Sequence, residues 1–145
     1  MQVMKKLILI LIGVLAVTGA FIYKAVNKGP VNISSADAVE VPATQLYNEY
    51  LSDPAHAAGK YTTKILLVSG VAGEVIPPSG TRQGLIKIKT DRSGAYINCS
   101  IESGTAVADT GQIIRVKGIC SGLGEGDADL GILGDVYLTR CMVAD

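Results

Sequence analysis

From Tyr61 onward the chain is a succession of short, alternating apolar runs cut by Gly, Pro and Asp turns. That pattern restricts it to a small antiparallel sheet that must close or cover its edges. Lys64 to Ile76 is a long β-branched run interrupted by Gly70 and Gly73, where a strand bends or carries a bulge. Leu85 to Thr90 sends Ile86 and Ile88 to one face and Lys87 and Lys89 to the other. The next run places Ile97, Cys99 and Ile101 opposite Tyr96, Asn98 and Ser100. Gln112 to Cys120 keeps Ile114, Val116, Gly118 and Cys120 in phase. Val136 to Val143 supplies a fifth strand after a glycine-rich, acidic loop from Ser121 to Asp135. Before the strands, Leu46, Tyr47, Tyr50 and Leu51 form one stripe at helical spacing. Pro42 suits the first turn, and Asp53 is placed to cap a short second helical turn through Ala55, Ala57 and Ala58. The expected fold is mainly β: a small five-stranded antiparallel barrel preceded by a short helix.

The N-terminus is of a different kind. Leu7 to Tyr23 carries no charge, with Lys5 and Lys6 before it and Lys24 after it. As a helix it would cover ~26 Å, slightly under the ~30 Å of bilayer hydrocarbon. Two readings stay open: a retained anchor, which we favour, and a cleavable signal peptide with Thr18-Gly19-Ala20 as its small-residue site. A lipid-modified start needs a cysteine at the end of the apolar run, whereas the first cysteine is Cys99. The expected organisation is residues 1–28 as anchor, 29–40 as linker and 41–145 as the barrel domain. The lysines give a small bias toward an N-terminus inside and the domain outside, hence a single-pass bacterial inner-membrane protein with a periplasmic domain.

Four of the 13 basic residues flank the apolar run, and all 13 acids lie beyond it. The balance from Gly29 onward is therefore −4. General nucleic-acid binding depends on neutralising phosphates and is disfavoured by this balance. Small closed barrels of five strands bind ligands on the outward face of their second and third strands. Here that face presents Lys87, Lys89, Tyr96 and Asn98, with Arg92 at the turn, as the candidate ligand residues. Two lysines and one tyrosine could meet a phosphate backbone and stack one base, but an ordinary solvated strand face fits them better.

The remaining chemistry is sparse. His56 is the one histidine, and cysteines 21 residues apart do not form a zinc motif. The acidic loop Glu125 to Gly131 lacks the ligand set of a calcium loop. No nucleophile elbow, phosphate loop or dinucleotide fingerprint is present, so the expectation is no enzyme, no cofactor and no metal. If five such strands close into a barrel with the third and fifth side by side, those two run parallel. The fourth and fifth form a hairpin that sets Cys120 opposite the region of Val136. Any internal disulfide is then Cys99–Cys141, with three reduced thiols as the competing reading.

The chain also resembles membrane-anchored bacterial proteins with a tRNA_anti-like OB domain, of a type frequent in Bacteroidetes. The residues that carry the resemblance are Leu46-Tyr47-x-x-Tyr50, Ala57-x-x-Lys60-Tyr61-x-x-Lys64 and Val68-Ser69-Gly70. They continue with Cys99, Val116 to Gly122, and Asp135-Val136-x-Leu138-x-x-Cys141. The resemblance implies an OB fold and, through the family name alone, nucleic-acid binding. Fold does not fix function, and no catalytic residues carry over. The expected function is a non-catalytic, membrane-anchored binding module of the envelope for a protein or small-molecule ligand. OB-type single-strand binding is the second reading.

Overall fold

The structure is a computed structural model. It describes residues 32–144 and, before them, only Met1, Met4, Lys6, Thr18, Gly19 and Tyr23. Most of the expected anchor, residues 7–23, therefore lies outside the described residues. Among the described residues no helix is long and apolar enough to cross a membrane. Ile33–Asp145 forms one compact unit.

The order of elements is β1 (Val39–Pro42), α1 (Ala43–Ser52), α2 (Pro54–Tyr61), β2 (Ile65–Ile76), β3 (Gly84–Lys89), β4 (Tyr96–Ile101), β5 (Ile113–Leu123) and β6 (Val136–Ala144). Strands β2, β3, β4, β6 and β5 pair in that sequence, and β5 returns to β2 to close the ring. The pairings are antiparallel except for β4 with β6. Closure depends on β2 serving two partners: Ile65–Val71 face β5, and Ala72–Ile76 face β3. Both glycines of β2 sit where β3 crosses closely. A Cβ on Gly70 would lie 2.5 Å from Ile88 Cγ2, and one on Gly73 would lie 2.9 Å from Lys89 Cγ.

The alternation expected from the sequence is realised in the barrel. Leu66, Val68, Ile86, Ile88, Ile97, Cys99, Ile101, Val116 and Leu138 are fully buried. Each large aliphatic removed from water contributes about 1.5–3 kcal/mol. Helix α1 adds Ala43, Leu46, Tyr47 and Tyr50 to the same core. These residues follow the i, i+3, i+4, i+7 stripe. Leu51 falls one position past it and is 39% exposed, outside the expected buried stripe. Asp53 caps α2 by accepting from the His56 backbone N–H at 3.0 Å, with Pro54 in the first turn.

Two further features differ from the sequence reading. Strand β1 lies partly inside the expected linker and pairs parallel with β2, Val41 opposite Val68. Lys117 on β5 donates to the carbonyls of Ser34 and Ala36, so this stretch is tied down rather than free. Strand β5 also runs on to Leu123, which leaves only residues 124–135 as loop. The hairpin register also differs: Cys120 faces Leu138 because β5 runs three residues further, setting Leu123 opposite Val136, and irregularities occur beside Gly122 (φ 108) and Arg140 (φ 52).

Candidate ligand face

The outward residues of β3, β4 and β6 lie side by side across the sheet. Lys87 is opposite Asn98, Lys89 is opposite Tyr96, and Asn98 is in turn beside Tyr137. At the end of this face, Lys89, Arg92 and Tyr96 line a cavity of about 210 Å³ closed by the β3–β4 turn. The register thus sets Lys87, Lys89, Tyr96 and Asn98 on one face of the sheet, with Arg92 in the turn at its end.

Their environments differ. The Lys87 ammonium is 2.7 Å from Glu74 on β2 and 5.8 Å from the centroid of the Tyr96 ring. The hydrogen bond to Glu74 holds its pKa above the ordinary lysine value. Lys87 is therefore charged but largely neutralised. Lys89 and Arg92 make no ion pair among the described residues. Asn98 is only 6% exposed, and its Nδ2 donates to Asp135 Oδ2 at 2.7 Å. The other oxygen of Asp135 accepts the Tyr96 backbone N–H at 2.9 Å. Among the described residues, Asn98 Oδ1 is a buried acceptor without a partner.

Sequence reasoning missed three members of this surface. Asp135 stood in the expected loop, and Glu74 reaches Lys87 only through the β2–β3 register. Tyr137 was legible: it alternates between the buried Val136 and Leu138, so it must point outward. It is 45% exposed and adds a second aromatic ring to a face expected to carry one.

The loop that holds Asp135 is hydrogen-bonded across itself. Asp127 and Ile132 exchange two backbone bonds of 2.8 Å, and Gly124 N–H donates to the Asp135 carbonyl at 2.8 Å. Asp127 Oδ1 accepts from the backbone N–H groups of Asp129 and Leu130, so its carboxylate serves the turn. Tyr47 of α1 donates to the Gly134 carbonyl at 2.8 Å and fixes the loop base against the helix. Burial, then the charge of Asp135, raises the pKa of Tyr47, which keeps that hydroxyl protonated as a donor.

Elsewhere, a cavity of about 530 Å³ opens where β1 runs into α1, bordered by Pro42, Ala43, Gly70, Lys89 and Asp91. His56 is exposed on α2. Among the described residues no His, Cys, Asp and Glu group is set to hold a metal ion. The three cysteines are free and buried, which is the competing reading to a Cys99–Cys141 bond. Cys99 pairs with Leu138 and Cys141 with Ile101, which makes the two thiols diagonal neighbours rather than a directly opposed pair. The contact with Cys141, together with burial, pushes the Cys99 thiol well above the ordinary range.

A closed five-stranded ring with this strand order, capped by helices and offering an outward β3–β4 face, defines an OB-type barrel. The tRNA_anti-like family model matches residues 1–130, and the chain belongs to that family. No curated protein matches it. Among solved structures it is similar to a lipoprotein from Klebsiella pneumoniae subsp. pneumoniae MGH 78578 described as a candidate nucleic-acid binder. The identity is 16% and the TM-score 0.58, covering 80% of this chain and 99% of that one. At that identity the likeness supports the fold alone.

Proposed function

We propose that this protein is a non-catalytic binding module of the bacterial envelope, anchored through residues 7–23, that takes its ligand on the β3–β4–β6 face. The observation that carries the reading is the row Lys87, Asn98 and Tyr137, flanked by Lys89 and Tyr96. It combines aromatic, amide and cationic groups on rigid strands next to a shaped cavity. A periplasmic domain on a single inner-membrane span is the arrangement we favour, and the lipoprotein relative supports an envelope setting. The residues available for general acid–base or nucleophilic work are dispersed: His56 is on the exposed side of α2, and the thiols are inside the barrel. This supports binding rather than turnover.

The neutralised Lys87 and the presence of Asp135 favour a small or protein ligand over a polyanion. One observation favours single-stranded nucleic acid as the second reading: Tyr137 joins Tyr96, giving two platforms on which bases stack. Titration of the full-length protein with short single strands at two salt concentrations separates the two. Under the second reading, replacing both Lys87 and Lys89 by Ala weakens binding and flattens its salt dependence. Tight binding that ignores salt and both lysines contradicts it.

A further inference from the structure

The loop between β5 and β6, residues 124–135, holds three large aliphatic side chains in water: Leu130 is 71% exposed, Ile132 55% and Leu133 40%. Single exposed apolar residues are ordinary, but three within four residues of one turn forfeit burial that a pliant loop could recover by folding them down. The backbone of this loop holds them out. Its turn is closed by the paired Asp127–Ile132 backbone bonds, and Asp127 Oδ1 accepts the Asp129 and Leu130 backbone N–H groups at 3.0 and 3.1 Å. Its two sides approach so closely that a Cβ on Gly126 would lie 2.5 Å from the Ile132 carbonyl oxygen and 2.7 Å from the Gly134 nitrogen. The same stretch carries Glu125, Asp127 and Asp129, all exposed, and none of them makes an ion pair among the described residues. From Gly118 to Thr139 there is no lysine or arginine. Of the cations that bracket this stretch, Lys117 is bonded to the Ser34 and Ala36 carbonyls, and Arg140 stands 3.6 Å from Glu102.

We propose that this loop tip is a docking surface for a polypeptide segment that carries apolar side chains between lysines or arginines. Charge decides among the occupants that an apolar tip could take. A bilayer containing anionic lipid has a negative surface potential, which repels three carboxylates without cationic partners. A second copy meeting the tip head-on would set the same acids against each other. A basic, apolar segment satisfies both features: its aliphatic side chains cover Leu130, Ile132 and Leu133, and its cations meet Glu125, Asp127 and Asp129. Three side chains offer far less than the ~800 Å² that each partner gives to a standard interface, so the occupant is a short segment, not a folded domain. The closed turn lowers the entropy cost of contact, since Leu130 is already held out for it. Lys87, Lys89, Tyr96 and Asn98 take no part in this surface.

The test uses the full-length protein in phosphatidylcholine nanodiscs, with empty discs as the control, and two labelled peptides of equal length. One is built of leucines and lysines, the other of the same leucines with glutamate in place of lysine. Fluorescence anisotropy is expected to show binding of the lysine peptide alone, weaker as salt rises. Leu130→Ser with Ile132→Ser changes only exposed side chains and is expected to weaken binding about tenfold or more. Glu125→Gln with Asp129→Asn leaves the turn-closing Asp127 in place and is expected to remove most of the salt dependence. Equal binding of both peptides, binding untouched by either pair of substitutions, or no binding overturns the proposal. So does broadening of the Leu130 and Ile132 methyl signals by spin-labelled lipid without peptide, which would seat the tip in the bilayer. Self-association of the parent that Leu130→Ser with Ile132→Ser abolishes assigns the tip to a second copy and likewise overturns it.

Discussion

Replacing Gly134 with Ala tests how the ligand face is held. A Cβ there would lie 2.1 Å from the Gly124 carbonyl oxygen, 3.1 Å from its carbon and 3.2 Å from the Gly126 nitrogen. All three are backbone atoms, so no side chain can give way, and the overlap of more than roughly 1 Å must be relieved by parting the two sides of the loop. Parting them breaks the Gly124–Asp135 bond, the two Asp127–Ile132 bonds and the Tyr47–Gly134 bond, each 2.8 Å. At about 0.5–1.5 kcal/mol net apiece, and with water replacing some of them, the loss is on the order of 2–4 kcal/mol. The barrel strands are not involved, so the domain still folds. The urea midpoint is expected to fall by about 1–2 M. Hydrogen exchange at the amides of Asp127 and Ile132 should rise more than elsewhere. Gly131→Ala is the control: Gly131 has open space and φ 67, so only backbone strain of about 1 kcal/mol applies. If Gly134→Ala is no worse than Gly131→Ala, or leaves those two amides protected, the close backbone approach does not fix this loop.

Tyr50→Phe removes a hydroxyl placed between Thr62 Oγ1 (3.1 Å) and Cys120 Sγ (3.4 Å), and urea unfolding should register a loss of about 1 kcal/mol. Gly118→Ala would set a Cβ 2.5 Å from Cys141 Sγ, an overpacking cost of about 1–3 kcal/mol that Cys141→Ala should relieve in a double-mutant cycle. Glu49 is held at about 2 instead of 4.5 by hydrogen bonds from Lys60 first, then Gln45 and Tyr61. Its folded pKa is depressed, so its contribution is complete above about pH 4.5 and is lost as pH falls toward 2. Thermal melts of Glu49→Gln should therefore depend less on pH across that window than those of the parent. Alkylation in denaturant should count three thiols, whereas a count of one would show that a pair had been oxidised.

How far the sequence carried this picture differs from element to element. Ile86 with Ile88, and Ile97 with Cys99 and Ile101, announced buried faces because a period of two has one solution on a half-buried sheet. By the same rule Lys87, Lys89, Tyr96 and Asn98 were legible as one outward surface. Strand β1 was not: four residues ending in Pro42 have no period of their own and become a strand only because β2 offers an edge. The register near the cysteines was equally hidden. Arg140 at φ 52 carries no sequence mark of the irregularity beside it. The chemistry of the face depended on contacts across large sequence separations. Glu74 neutralises Lys87, and Asp135 engages the Asn98 amide, only once β2, β3, β4 and β6 are assembled.

The most direct measurement of the central claim is a residue-resolved footprint of binding on the full-length protein. Backbone and side-chain NMR shifts would be followed while the four nucleosides and short single strands are added. The account predicts shifts confined to Lys87, Lys89, Tyr96, Asn98, Tyr137 and their strand neighbours. Shifts centred instead on the cavity between Pro42, Gly70 and Asp91, with the β4 and β6 signals unmoved, would contradict it.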